Sequence, residues 1–171
     1  MQNLNIQPYQ NADFQVVSQL FEDFMDYIIN LDDLGITRKQ INYGEKYLQK
    51  NIKDVETKNG SFLIAKIDKK VVGLGVAVVD ELSNDDLIEL VPHTPGRIME
   101  LYVDRQYRKH GIGTKIMQML EKYLVDSGCN TIRIGVFAPN YLAHKLYEKF
   151  GYKDRNIDMT KVITKARFKP T

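Results

Sequence analysis

A single cysteine, Cys129, is too few for an internal disulfide or a cysteine-based zinc site. Three scattered histidines do not make a structural metal centre either. Net charge is nearly absent: 24 basic residues against 22 acidic ones leave +2, and nothing in that balance marks a nucleic-acid binder. No apolar run approaches the ~18 residues of a membrane span. Met1 to Gln10 have neither the basic start nor the apolar stretch of a signal peptide, so the expected compartment is the cytoplasm. Repeats, low-complexity tracts and long linkers are also lacking, and 171 residues therefore read as one domain. What is present, 43% hydrophobic and 27% charged residues, is ordinary globular composition. A chain of this size buries roughly 70% of its unfolded surface and needs no covalent staples.

The hydrophobic period changes along the chain. A short strand is expected over residues 4–9. From Asp13, a plausible cap, Phe14, Val17, Leu20, Phe21, Phe24, Met25 and Ile28 fall at helical spacing. A second helix is predicted over 37–52, with Ile41, Leu48 and Ile52 on one side and Gly44 weakening it. Residues 61–67 and 71–79 are rich in branched side chains and flank Asp68-Lys69-Lys70, which reads as a hairpin. A polar loop with Pro92 and Pro95 leads to a strand over 97–103. There follow a helix over 111–126 ending near Gly128, a strand over 131–137, a helix over 140–150, and one or two strands within 152–163.

The stretch from Leu101 to Thr114 runs from a strand through a basic, glycine-containing turn directly into a helix. The first amides of a helix lack internal partners and its dipole makes that end electropositive, so a phosphate is well received there. Arg105, Arg108, Lys109 and Lys115 surround the turn. A nucleotide P-loop needs Gly-Lys-Ser/Thr, whereas this chain has Gly113-Thr114-Lys115. A dinucleotide fingerprint needs a third glycine where Ile116 stands. What fits is Arg-x-x-Gly-x-Gly, carried by Arg108, Gly111 and Gly113. A glycine pair that merely starts a helix fits as well.

One strand later, Asn140 and Tyr147 are spaced to share a helix face with Ala143 between them. Such a groove, polar at both ends, suits an extended amide-bearing ligand. Alternatively, Tyr147 belongs to an aromatic core stripe with Phe150. Together, in this order, the two motifs resemble the Gcn5-related N-acetyltransferase (GNAT) family, strongly over residues 97–152. The resemblance implies an α+β fold over residues 1–165, with a central, mostly antiparallel mixed sheet opened by a V-shaped splay and flanked by about four helices. Residues 166–171 would be a solvated tail.

The resemblance further implies acetyl-CoA as cosubstrate and no metal. Its pantetheine arm would pair with Leu101, Tyr102 and Val103, and its pyrophosphate would lie on the turn formed by Arg108, Lys109, His110, Gly111, Ile112, Gly113 and Thr114. Asn140 and Ala143 would border the arm, the Val103 amide would receive the thioester oxygen, and Tyr147 would serve the departing thiolate. Glu100 is the candidate general base; a solvated or salt-bridged strand glutamate is the other reading. By alternation Glu100 shares a face with Tyr102, and Leu101 with Val103. The implied partner is a small-molecule or peptide amine, with neither nucleic acid nor membrane involved, and a homodimer is left open. Asp23, Asp26, Asp32 and Asp33, with Asp80, Glu81, Asp85, Asp86 and Glu89, could wall the acceptor side and attract a polyamine, aminoglycoside or lysine-bearing peptide. They could equally be a solvated face. A non-catalytic acyl-CoA sensor or scaffold would use the same cradle, and a nucleotide-binding regulatory domain is a third reading.

Overall fold

The computed structural model describes residues 3–163. Five strands form one sheet in sequence order: β1 (Leu4–Pro8), β2 (Gly60–Ile67), β3 (Lys70–Val79), β4 (Pro95–Val103) and β5 (Thr131–Ile134). The first three pairings are antiparallel and β4–β5 is parallel. The β2–β3 hairpin closes through Asp68 and Lys69, both left-handed (φ 47° and 73°), the backbone that matches strand twist. Every residue from Val71 to Val78 in β3 is buried, as a central strand covered on both faces requires.

Two layers provide that cover. Helices α1 (Phe14–Leu31) and α2 (Tyr43–Thr57) enclose Val17, Phe21, Leu48, Ile64, Leu74 and Tyr102 on one face. Helices α4 (Ile112–Asp126) and α5 (Tyr141–Lys149) enclose Leu63, Ala77, Ile98, Ile116, Leu120 and Tyr147 on the other. The four-residue α3 (Asp86–Glu89) lies in the loop before β4. Ile116, Met117, Leu120 and Leu124 of α4 are fully buried, each contributing about 1.5–3 kcal/mol. Gly75 in β3 permits this seat, because a Cβ there would lie 2.4 Å from Ile116 Cγ2. The sheet thus fixes the start of α4 rigidly against the end of β4.

The splay follows from strand lengths. β5 pairs with β4 only from Pro95 to Ile98. β4 continues along β3 to Val103, so among the described residues no strand pairs with 99–103 on their outer side. A bulge falls at the point of separation: Ala77 pairs with Ile98 and Val76 with Glu100, leaving Met99 between them. That extra residue reverses the alternation. Ile98 faces α4, whereas Glu100 and Tyr102 face α1 and α2.

Several sequence expectations shift. The second helix begins at Tyr43 rather than residue 37, because Asp32 organises the preceding loop by accepting hydrogen bonds from the amides of Leu34, Ile36 and Thr37. Ile41 is consequently 85% exposed and belongs to no helix face. Gly44 opens α2 instead of weakening it, since a Cβ there would lie 2.1 Å from the Ser18 carbonyl oxygen. Asp13 stands at the start of α1 without a capping hydrogen bond, and its carboxylate pairs with Lys66 at 2.7 Å. β5 stops at Ile134 because its partner diverges there. The strands expected within 152–163 do not form: Lys153 to Ile163 are exposed on both alternating sets, and no strand among the described residues supplies them a ladder. The expected tail at 166–171 lies outside the described residues.

Candidate active site

The turn between β4 and α4 is built around two left-handed residues, Lys109 (φ 68°) and Gly111 (φ 77°). The first intrahelical bond runs from the Lys115 amide to the Gly111 carbonyl. The amides of Ile112, Gly113 and Thr114 are therefore left without helical partners. Nothing lies within 4 Å of a Cβ built on Gly111, and Gly113 meets only Val103 and Leu146 side chains at 3.7–4.0 Å. An anion can approach this backbone closely. Ile112 offers only its amide, because its side chain is buried beneath the helix. His110 stays on the surface with Nδ1 2.8 Å from the Arg108 carbonyl.

Arg108 does something the pattern did not indicate. Its guanidinium turns inward from the turn, 4.4 Å from the Tyr27 ring centroid and 5.4 Å from that of Tyr102. Its Nε donates to the Val103 carbonyl at 2.8 Å. The charge braces the end of β4 against α1 rather than facing the helix start. Tyr27, on the far side of that guanidinium, donates through its hydroxyl to Asn140 Oδ1 at 3.0 Å. Asn140 itself precedes α5 as its N-cap, with Oδ1 accepting from the Ala143 amide at 3.4 Å. Its amide NH2 remains to donate.

Within the splay, Leu101 and Val103 present their backbone outward. The Asp104 amide donates to Val72, and a Cβ on Gly73 would touch the Tyr102 carbonyl, so residues 102 and 104 face β3. Tyr102 therefore departs from the expected binding set: its backbone belongs to the ladder and its ring to the α1 side, 5.3 Å from Phe24. With Arg108 on the Val103 carbonyl, the Val103 amide is the group left facing the opening.

A cleft at the splay is lined by Phe24, Ile28, Met99, Glu100, Leu101, residues 134–137, Asn140 and Tyr147. Glu100 is 6% exposed. Burial pushes its carboxyl up from 4.5 to about 7, against the opposing pull of a hydrogen bond from Tyr47 and the Lys50 charge. Tyr47 Oη donates to Glu100 Oε1 at 2.5 Å. Tyr147, equally buried, has its phenol pushed up to about 12 by burial first and then by the Glu100 charge.

Several of the acidic residues expected to wall the acceptor side, Asp26, Asp32, Asp80 and Asp86, are engaged by other partners. Asp26 and Glu22 share Lys39 at 2.6 and 3.1 Å, Asp80 pairs with Arg97 at 2.8 Å, and Asp86 accepts from Ser83 at 2.6 Å. The loop bearing Asp85 and Asp86 precedes Pro95, at the paired end of β4 away from the splay. Among the described residues no aspartate lines the cleft. Cys129 is buried against Gly96 and α4, its thiol raised by burial, consistent with packing alone. Among the described residues no cluster of metal-ligating side chains occurs, and no helix is long and apolar enough to cross a membrane.

A family model described as the acetyltransferase (GNAT) family matches residues 20–152. The chain belongs to the GNAT family. Among GNAT relatives, an uncharacterized N-acetyltransferase of Methanocaldococcus jannaschii is 33% identical over 97 residues, 56% of this chain and 54% of that protein. This chain thus spans about half the length of that relative. An N-alpha-acetyltransferase of Sulfurisphaera tokodaii is 29% identical over 133 residues, 76% of this chain and 75% of that one. In fold, an aminoglycoside N-acetyltransferase solved in complex with CoA superimposes with a TM-score of 0.70 at 10% identity, covering 96% of this chain and 97% of the other. As expected from the sequence, the GNAT fold and its opened, mostly antiparallel sheet are present.

Sequence reasoning missed Tyr47, Tyr27 and the bulge at Met99. Tyr43 and Tyr47 stand one helical turn apart in α2, but nothing local ties them to a strand residue 53 positions away.

Proposed function

We propose that this GNAT protein transfers the acetyl group of acetyl-CoA to a primary amine by direct attack within a ternary complex. The observation that carries this reading is the meeting of Glu100 and Tyr147 in one cleft at the mouth of the β4–β5 splay. The surrounding residues fit acetyl-CoA: free amides at Ile112–Thr114 and open space at Gly111 for the pyrophosphate, outward backbone at Leu101 and Val103 for the pantetheine arm, and the Asn140 amide beside it.

A protonated amine, with pKa about 10.4, has no lone pair until it loses its proton. Glu100, with its carboxyl near 7, is ionised enough at neutral pH to take that proton, directly or through a water. The Val103 amide, on the side of β4 away from β3, would receive the thioester oxygen as it gains charge. Tyr147 remains protonated below pH 12 and can donate to the departing thiolate. Part of what holds its proton is the Glu100 charge. Once Glu100 has accepted the amine proton, that contribution vanishes and Tyr147 becomes the stronger donor as sulfur leaves.

The S. tokodaii relative is an N-alpha-acetyltransferase and the CoA-bound neighbour an aminoglycoside N-acetyltransferase, so both names specify amine acceptors. Here the cleft walls include Phe24, Ile28 and Met99, with Glu100 the one carboxylate among the described residues that line it. This favours an amine carried on an apolar stem over a polycation gripped by several acids. An acyl-CoA sensor would need the cradle but neither the buried carboxylate nor the phenol.

Tyr147→Phe tests the reading. A hydrogen bond to a developing charge contributes about 1.5–3 kcal/mol, so kcat is expected to fall roughly 10- to 100-fold. Acetyl-CoA affinity, read by calorimetry, is expected to stay within about threefold, since the rest of the cradle is intact. Full activity in this variant would leave Tyr147 a core residue.

A further inference from the structure

We propose that Tyr47 is a positioning residue for Glu100, holding one carboxylate oxygen so that the other is presented to the acceptor amine. This rests on the reading of Glu100 as the base. Tyr47 Oη donates to Oε1 at 2.5 Å, the one side-chain hydrogen bond to Glu100 among the described residues. Oε2 has no such partner, and Glu100 lines the cleft.

Tyr47 is itself firmly placed. Its ring stacks on Tyr43 with centroids 5.0 Å apart and planes at 16°, and meets the edge of Phe21 at 5.2 Å. Lys50 Nζ lies 5.7 Å from its centroid. The first turn of α2 is clamped to α1 by the Gly44 amide donating to Glu22 Oε1 at 2.6 Å, and by the contact that only glycine permits beside the Ser18 carbonyl. That clamp sets where Tyr47, one turn later, meets β4. The bulge at Met99 turns Glu100 toward the same layer. Two independent features of the fold therefore converge on a single hydrogen bond.

Its chemical consequence has a definite sign. A donor on a carboxylate favours the ionised form, which burial opposes. Tyr47's own proton is held far above its ordinary range by burial and by Glu100, so it stays a donor and does not shuttle protons. The other titratable groups bearing on this pair are Tyr43, Lys50 and Asp54 from α2, Tyr147 from α5 and, through Tyr43, Glu22 from α1. On β3 the neighbouring residues Leu74 and Val76 are apolar. Among the described residues, Tyr47 alone both hydrogen-bonds the Glu100 side chain and lowers its proton affinity.

The test titrates the Glu100 carboxyl directly, by carbon-13 NMR on the full chain with labelled glutamate, using Glu100→Gln to assign the resonance. Wild type is expected to titrate near 7, and Tyr47→Phe about one pH unit higher. Fluorotyrosine at position 47, a stronger donor of the same shape, is expected to move the midpoint down. A purely structural Tyr47 would leave both midpoints in place, and unchanged midpoints overturn its role. Failure of the base reading appears separately, as CoA release by Glu100→Gln equal to wild type, and that result overturns both.

Discussion

Replacing Glu100 with glutamine is expected to slow acetyl transfer by ~100- to 10,000-fold at pH 8, the usual contribution of a positioned base. The substitution conserves volume and keeps an oxygen for the Tyr47 hydroxyl, so acetyl-CoA affinity should barely move. It should also stabilise the fold at that pH. Glu100 keeps its proton to about 7 in the folded chain against an ordinary 4.5. The native state therefore binds more protons between those values, and stability falls as pH rises through the window. The ionised carboxylate costs about 3 kcal/mol once pH exceeds 7. Glutamine has nothing to ionise. Thermal unfolding should show Glu100→Gln gaining on wild type from pH 5 to pH 8, with the gain complete above 7. Loss of activity with gain of stability separates a functional buried carboxylate from a structural one. A variant both inactive and less stable at pH 8 would place Glu100 in the architecture instead.

Gly111→Asp is expected to weaken acetyl-CoA binding by at least ~100-fold, near 3 kcal/mol. Its left-handed backbone (φ 77°) is one that Asp and Asn adopt with limited strain, and a side chain there meets no atom within 4 Å. The fold should survive. The new carboxylate would stand at the mouth of the free amides of Ile112, Gly113 and Thr114, capping them itself and repelling a pyrophosphate. Gly111→Asn carries the same shape without charge and is expected to lose no more than about tenfold. Calorimetric titration with acetyl-CoA distinguishes the two. Equal affinities for the Asp and Asn variants would remove this turn as the phosphate cradle.

The parts of the site legible in the sequence are those specified locally. A strand ending at Val103, a turn with glycines at 111 and 113 and the amphipathic α4 lie within one contiguous stretch, and the helix bearing Tyr147 follows its own period. The pairing of Glu100 with Tyr102, and of Leu101 with Val103, holds because the bulge falls just before Glu100. What stayed hidden depends on packing between distant segments. Tyr47 reaches Glu100 across 53 residues, and Tyr27 reaches Asn140 across 113. Arg108 looked like part of a basic phosphate turn, yet the two tyrosine faces and the Val103 carbonyl draw it inward. Branched residues in 152–163 read as strand, but strand propensity without a neighbouring edge forms no ladder. The carboxylates of α1 and the 80–94 loop showed as charge in sequence; the structure commits Asp26, Asp32, Asp80 and Asp86 to local partners.

The central claim, that Glu100 draws a proton from an amine so that it can attack acetyl-CoA, is met most directly by CoA thiol release. Wild type and Glu100→Gln would be compared against polyamines, aminoglycosides, amino acids and short peptides, including amines on apolar stems. Release above background with at least one class, rising through pH 7 and lost in the variant, is the predicted result. Acetyl-CoA binding with no release for any amine, or release undiminished by Glu100→Gln, would contradict it.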